Sequence, residues 1–239
     1  MIYAIGDIHG QATMLEAALT HLKASLLKSD DTVVCLGDYI DRGEDSRRVF
    51  EILRAFETDH PNVVFLRGNH EDLLLSSYTN IEAAINWLAN GGTDTLRSYE
   101  GLWTPAWGAW VPDEDLDFIS RTHLEYTTEH FHFVHAGIVP PDTESGVSEG
   151  LDPRLWIRDA FIESDADFGK IVVFGHTVQQ EAIPLIMKNK VGLDTGAVFG
   201  GYLSVAGFDD SRAPGEYPEF TLFQVDEEGH VLESEAVLV

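Results

Sequence analysis

The chain has 239 residues, 44% of them apolar, with 15 basic against 41 acidic side chains and a formal net charge of −26. That length carries one α/β domain with a sizeable core, and that charge opposes binding to DNA, RNA or anionic membranes. No apolar run reaches the ~20 residues that cross a bilayer, and Cys35, the only cysteine, excludes an internal disulfide.

The N-terminus opens into Ile2-Tyr3-Ala4-Ile5, a short apolar run that predicts a strand and carries no signal-peptide pattern. With the lone cysteine inside a predicted strand, the expected compartment is the reducing cytoplasm. Gly6-Asp7-Ile8-His9-Gly10 follows. Met14, Leu15, Ala18, Leu19, Leu22 and Leu26 then recur at helical spacing, with Thr13 and Glu16 as a candidate capping box. Thr32-Val33-Val34-Cys35-Leu36 predicts a second strand, which ends in Gly37-Asp38-Tyr39-Ile40-Asp41-Arg42-Gly43. A carboxylate delivered there sits at the carboxyl edge of a sheet, where open α/β folds bind ligands. The next helix has Val49, Phe50, Ile52, Leu53 and Phe56 on its core face. A third strand, Val63–Leu66, ends in Arg67-Gly68-Asn69-His70-Glu71, with a helix expected from about Asp72. The rhythm is β-α-β-α-β-α with short connections, the pattern of a sheet covered by helices.

Residues 76–125 depart from it. Trp87, Trp103, Trp107 and Trp110 fall there among Asn90-Gly91-Gly92, Pro105 and Pro112, predicting a mostly helical insertion with an irregular aromatic middle. Its tryptophans would line a substrate groove or pack a satellite core. No linker or repeat divides the chain, so residues 1–239 are expected to form a single domain. Strands resume at Phe131–Val134, ending in His135-Ala136-Gly137. A helix is expected over 154–162, and Lys170–Phe174 ends in Gly175-His176-Thr177. The tail reads as antiparallel strands from Val191 through Tyr202–Phe208, Phe220–Val225 and Val231–Leu238.

Five apolar runs thus end in Asp, His or Asn, and chance does not supply five. Asp7, His9, Asp38, Asn69, His135 and His176 offer mixed carboxylate, amide and imidazole ligands. That mixture suits divalent Mn, Fe, Zn or Mg rather than a thiolate-loving ion. There are enough ligands for two ions if Asp38 bridges: Asp7, His9 and Asp38 for the first, Asp38, Asn69, His135 and His176 for the second. The pocket then stays positive by about two units, attracting a phosphate dianion and ionising a bridging water as nucleophile. Arg42 and Arg67 can grip phosphate oxygens, with Arg158 as a third candidate. His70 follows Asn69 without being spent on metal and is the expected general acid, oriented by Asp41. Glu71 is expected to support the helix or orient a ligand.

These blocks, in order over residues 6–177, resemble the signature set of the phosphoprotein phosphatase family of the calcineurin-like metallophosphoesterases. The resemblance implies a two-metal, four-layer α/β/β/α sandwich, the ligand and acid assignments above, and manganese as the first expectation among the possible ions. Arg158 lies about where bacterial and phage members carry a third phosphate-binding arginine. His-Ala-Gly and the short chain place the sequence with those members. Symmetrical diadenosine-tetraphosphate hydrolases, the alternative, typically lack the counterparts of Asp41 and Arg67. The expected activity is therefore serine/threonine protein phosphatase, with phosphoproteins or small phosphoesters as substrates. Asp194-Thr195-Gly196 resembles an aspartic-protease motif but occurs once and is read as a strand-to-turn element. His130 and His132 alternate with Phe131 and Phe133, as the polar face of a strand does.

Overall fold

Alternation along the first strand sets the layers. Strand β1 (Ile2–Ile5) sends Ile2 and Ala4 into one apolar cluster and Tyr3 and Ile5 into another. Buried on both faces, such a strand must lie between two layers. The computed structural model describes residues 1–100, 109–141, 143–211 and 220–234. Trp103, Pro105, Trp107 and the end of the expected tail strand lie outside them.

Helix α1 (Ala12–His21), strand β2 (Thr32–Cys35), helix α2 (Ser46–Asp59) and strand β3 (Val63–Phe65) continue the predicted alternation. Helices α3 (Asn69–Ser77), α4 (Ile81–Trp87), α5 (Thr93–Ser98) and α6 (Asp113–Ser120) follow. Strands β4 (Glu125–Thr127) and β5 (Phe131–Val134) precede two short helices, α7 (Pro153–Trp156) and α8 (Asp159–Ile162). Strand β6 (Ile171–Phe174) leads to β7 (Leu185–Ile186), β8 (Lys190–Gly192) and β9 (Asp194–Thr195). The last described strands are β10 (Tyr202–Phe208), β11 (Phe220–Val225) and β12 (Val231–Ser234).

The first sheet runs β12-β11-β10-β1-β2-β3, with β9 paired to β10, and the second runs β4-β5-β6-β8-β7. Within them β1, β2 and β3 are mutually parallel, as are β5, β6 and β8. Parallel strands share a carboxyl edge, so the residues following β1, β2 and β3 emerge together, as do those following β5 and β6. Ile2, Ala4, Val34 and Leu36 of the first sheet meet Phe131, Phe133, Ile171 and Val173 of the second in a sheet-on-sheet core. Tyr3, Ile5, Val33 and Cys35 face the helices α1, α2, α3 and α6. Val134, Val172 and Phe174 face Ile157 and Phe161 on the outer side of the second sheet. Two sheets flanked by helices give the four-layer order expected from the resemblance.

Four local expectations change. α1 begins at Ala12 with Gln11 as N-cap and no side-chain cap, so Thr13 and Glu16 form no capping box. α3 begins at Asn69, not near Asp72, because Glu71 is its third residue and its carboxylate accepts from Gly68 N at 2.8 Å. The 154–162 helix is two helices, broken where Ile157 is extended and Arg158 takes φ −132°, ψ −105°. Strand β6 begins at Ile171 rather than Lys170. Trp87 and Trp110 belong to the main helical-side core, their ring centroids 6.2 Å apart, rather than to a satellite. Among the described residues no helix is long and apolar enough to cross a membrane.

Candidate active site

The strand ends deliver Asp7, His9, Asp38, Asn69, His135 and His176 into one buried cluster. The turns that carry them are strained: His9, Asp38, Asp41, Arg42 and His176 all take positive φ, between 44° and 72°. Such backbone angles cost non-glycine residues free energy, and surrounding structure must hold them. Glu71 supplies much of that hold. Its buried carboxylate accepts from Asp38 N at 2.9 Å, Tyr39 N at 2.8 Å and Gly68 N at 2.8 Å, tying the β2 turn to the start of α3. Gly37, at φ +103°, lets these turns approach, since a Cβ there would lie 2.5 Å from Gly68 N.

Tautomers follow from the hydrogen bonds. His9 Nδ1 lies 2.7 Å from Ile40 O and His135 Nδ1 lies 2.8 Å from Leu36 O. A carbonyl only accepts, so both Nδ1 atoms carry hydrogen, and each ring in its neutral form presents a lone pair at Nε2. His135 Nε2 is 3.0 Å from Asn69 Oδ1 and 3.4 Å from Asp38 Oδ1. His9 Nε2 is 3.3 Å from Asp38 Oδ2. In the neutral ring His135 Nε2 aims its lone pair at Asn69 Oδ1 and Asp38 Oδ1, acceptors whose hydrogens come from elsewhere, His176 Nδ1 facing the first and His70 N donating to the second at 3.0 Å.

Two atoms reinforce this. Asp7 Oδ1 and His176 Nε2 are buried and have no hydrogen-bond partner among the described residues. Asp7 Oδ2 accepts from His176 N at 2.9 Å, and His176 Nδ1 lies 2.9 Å from Asn69 Oδ1. Candidate ligand atoms of His9, Asp38 and His70 lie within 4.8 Å of one another, as do those of Asp38, His135 and His176. Asp38 is common to both groups, as a bridging ligand would be. A donor set of carboxylates, an amide oxygen and neutral imidazoles fits two divalent cations.

Charge balance leads to the same place. Burial, with the charges of Asp194 and Asp38, pushes the Asp7 carboxyl well above its usual range. Burial also works against ionised Asp38, yet the imidazoles of His135, His70 and His9 outweigh it and hold Asp38 well below. Burial lowers His135 and, helped by His135 and Arg158, holds His176 well below its ordinary value. Glu71 is pushed up to about 8, by burial and then by Asp38. Positive charge placed among these groups relieves the crowding of carboxylates.

Beside the cluster, Asp41 Oδ2 lies 2.8 Å from His70 Nδ1. The insertion completes this pair: Trp87 Nε1 donates to both Asp41 oxygens at 3.0 and 3.1 Å, and Thr95 Oγ1 donates to Oδ1 at 2.6 Å. The His70 ring packs edge-on against His9, with centroids 4.7 Å apart. Sequence spacing gave no signal for Trp87 or Thr95. Asp194, read as a turn element, is buried beside Asp7, its Oδ1 accepting from Gly196 N at 3.0 Å.

The three arginines differ. Arg42 Nη1 donates to His9 Nε2 at 2.9 Å, and Arg158 Nη1 donates to His176 O at 3.1 Å and Thr177 Oγ1 at 3.2 Å. Both are exposed at the rim of the cluster. Arg67 instead turns to Thr122 Oγ1 at 3.2 Å and Ser120 O at 3.3 Å, with Asp72 4.0 Å away. The structure brings Arg42 and Arg158 to the cluster and engages Arg67 with the C-terminal end of α6 and Thr122 just beyond it.

The profile of the calcineurin-like phosphoesterases matches residues 1–200. The chain belongs to that family. Members are hydrolases of phosphoric esters that use divalent metals, in agreement with the converging acceptors. The chain is 29% identical over 211 residues to serine/threonine-protein phosphatase 1 of Salmonella typhimurium, covering 86% of this chain and 90% of that one. It is also 30% identical over 140 residues to the symmetrical bis(5'-nucleosyl)-tetraphosphatase of Pectobacterium atrosepticum, covering 58% and 43%. The cold-active protein-tyrosine phosphatase of a Shewanella species shares the fold, with a TM-score of 0.54 at 16% identity over 97% of this phosphoesterase and 79% of that chain.

Proposed function

We propose that the chain is a two-metal phosphomonoesterase acting on phosphoserine and phosphothreonine in proteins. The observation that carries this reading is the buried Asp41–His70 pair set beside the Asp38-centred acceptor cluster. When bound, two divalent ions, manganese first among the candidates, would supply positive charge for the phosphoryl group and acidify a water. Asp7, His9 and Asp38 would hold one, and Asp38, Asn69, His135 and His176 the other.

The chain's own groups do the rest. Asp41 can only accept, so His70 carries its hydrogen on Nδ1 and keeps Nε2 for proton transfer. As imidazolium, His70 gives the Nε2 proton to the departing oxygen and is held in orientation by Asp41, Trp87 and Thr95. Arg42, beside His9, and Arg158, beside His176, grip non-bridging phosphate oxygens. Arg67 reaches phosphate only by giving up Thr122 and Ser120.

Similarity along most of the chain to a serine/threonine phosphatase supports the protein substrate, as does Asp41. The shorter tetraphosphatase match supports dinucleotide hydrolysis as the second reading. The reading takes residues 1–239 as one domain, places the protein in the cytoplasm and, on a net charge of −26, gives it no nucleic-acid or membrane partner. Steady-state kinetics on manganese-loaded protein test it. Faster hydrolysis of a phosphoserine peptide than of diadenosine tetraphosphate is expected, and the reverse order overturns the protein-phosphatase reading.

A further inference from the structure

The large apolar side chain of Phe199 stands exposed beside the cluster of buried charges. It is 64% exposed, and the Arg42 guanidinium stacks over its ring at 5.6 Å from the centroid. That guanidinium also donates to His9 Nε2, so the ring stands at the edge of the acceptor cluster.

Backbone hydrogen bonds define the turn that presents Phe199. Ala197–Phe199 is a single 3₁₀ turn between Gly196 and Gly200, both left-handed at φ 72° and 80°. Gly196 O accepts from Phe199 N at 2.8 Å and Gly201 N at 3.0 Å. Gly196 N donates to buried Asp194. Val178, 44% exposed and two residues beyond His176, flanks the same glycine: a Cβ on Gly196 would lie 3.1 Å from Val178 Cγ1 and 3.9 Å from Phe199 Cβ. Thr177, next to Val178, accepts from Arg158. The rim therefore runs Arg42, Phe199, Val178, Thr177, Arg158: an apolar strip between two guanidinium groups.

We infer that Phe199 and Val178 form a ledge that receives an aromatic or large apolar group carried next to the substrate's phosphoryl group. A dianion bound between Arg42 and Arg158 places its organic substituent against this strip, where the ring face and the valine methyls are dehydrated by contact. Resting on the phosphomonoesterase reading, this makes the preferred substrates phosphoresidues flanked by aromatic or bulky apolar side chains. It also gives Phe199 a second task, limiting the swing of the Arg42 guanidinium by stacking.

Two phosphonates that differ only in the substituent isolate the ledge from the chemistry. Calorimetric titration of the manganese-loaded protein with benzylphosphonate and with methylphosphonate should show the benzyl compound binding about tenfold tighter, as for partial burial of one ring. Phe199→Ser should bring the two affinities together, and Phe199→Leu should keep several-fold of the difference. Equal affinities in the unaltered protein, or an undiminished ratio in Phe199→Ser, overturn the ledge. Binding of neither phosphonate overturns the anion site, and the ledge with it. An intact ratio in a protein that ignores phosphoserine peptides overturns the protein-substrate reading alone.

Discussion

Asp41 Oδ2 lies 2.8 Å from His70 Nδ1, and both side chains are buried, at 0% and 1% exposure. In the proposed function this pair moves a proton while the other groups of the cluster hold cations. His70→Asn should lower kcat by about 10²–10⁴-fold, the usual loss for a general acid, while bound metal is retained. Rate measurements alongside metal analysis check this, and equal kcat in the variant contradicts the assignment.

The insertion reaches the same pair through Trp87 Nε1 and Thr95 Oγ1, which lie 46 and 54 residues from Asp41 in sequence. Trp87→Phe keeps the aromatic packing and removes one donor from a buried carboxylate. It should cost about 1–3 kcal/mol in urea unfolding and lower kcat less than His70→Asn does. Unchanged stability and unchanged kcat together would show that the insertion does not brace the pair.

Arg158 and Arg67 separate by their contacts. Arg158→Ala removes a rim guanidinium and should raise KM for a phosphopeptide on the order of tenfold. Arg67→Ala removes hydrogen bonds to Ser120 and Thr122 and should instead lower stability by about 1 kcal/mol. A KM increase in Arg67→Ala as large as that in Arg158→Ala would show that Arg67 leaves these partners to bind substrate.

Lys190 gives a pH signature remote from the site. Its Nζ is buried and donates to Phe161 O at 2.5 Å, Ser164 O at 2.7 Å and Ile162 O at 3.1 Å, closing the end of α8. Burial lowers its pKa from 10.5 to about 8. Between these values the unfolded chain binds more protons than the folded one, so this residue's contribution to stability grows as pH rises. Relative to Lys190→Met, the unaltered protein should gain stability from pH 8 to 10, by at most about 1.4 kcal/mol per pH unit. Urea unfolding of both proteins at several pH values measures the slope, and a parallel pH dependence contradicts it.

The strand ends were readable because an apolar run of four or five residues followed by Gly-Asp, Asn-His or Gly-His is a local pattern. The bracing by Trp87 and Thr95 was not, since only folding brings them to Asp41. Asp194 reads locally as a turn residue, yet β9 pairs with β10 and sets it beside Asp7. A single helix over 154–162 is too long because periodicity does not register the extended backbone at Ile157, which turns Arg158 toward His176. Thr13–Glu16 had capping spacing, but the chain had already entered the helix at Ala12.

In the proposed function Asp38 joins two cation sites on which hydrolysis depends. Equilibrium dialysis against manganese, with phosphoserine-peptide hydrolysis measured on the same samples, decides this. Two equivalents bound per chain, activity that rises with occupancy and vanishes on chelation, and loss of both in Asp38→Asn are expected. Full turnover in metal-depleted protein, or two tightly held ions and undiminished turnover in Asp38→Asn, would contradict it.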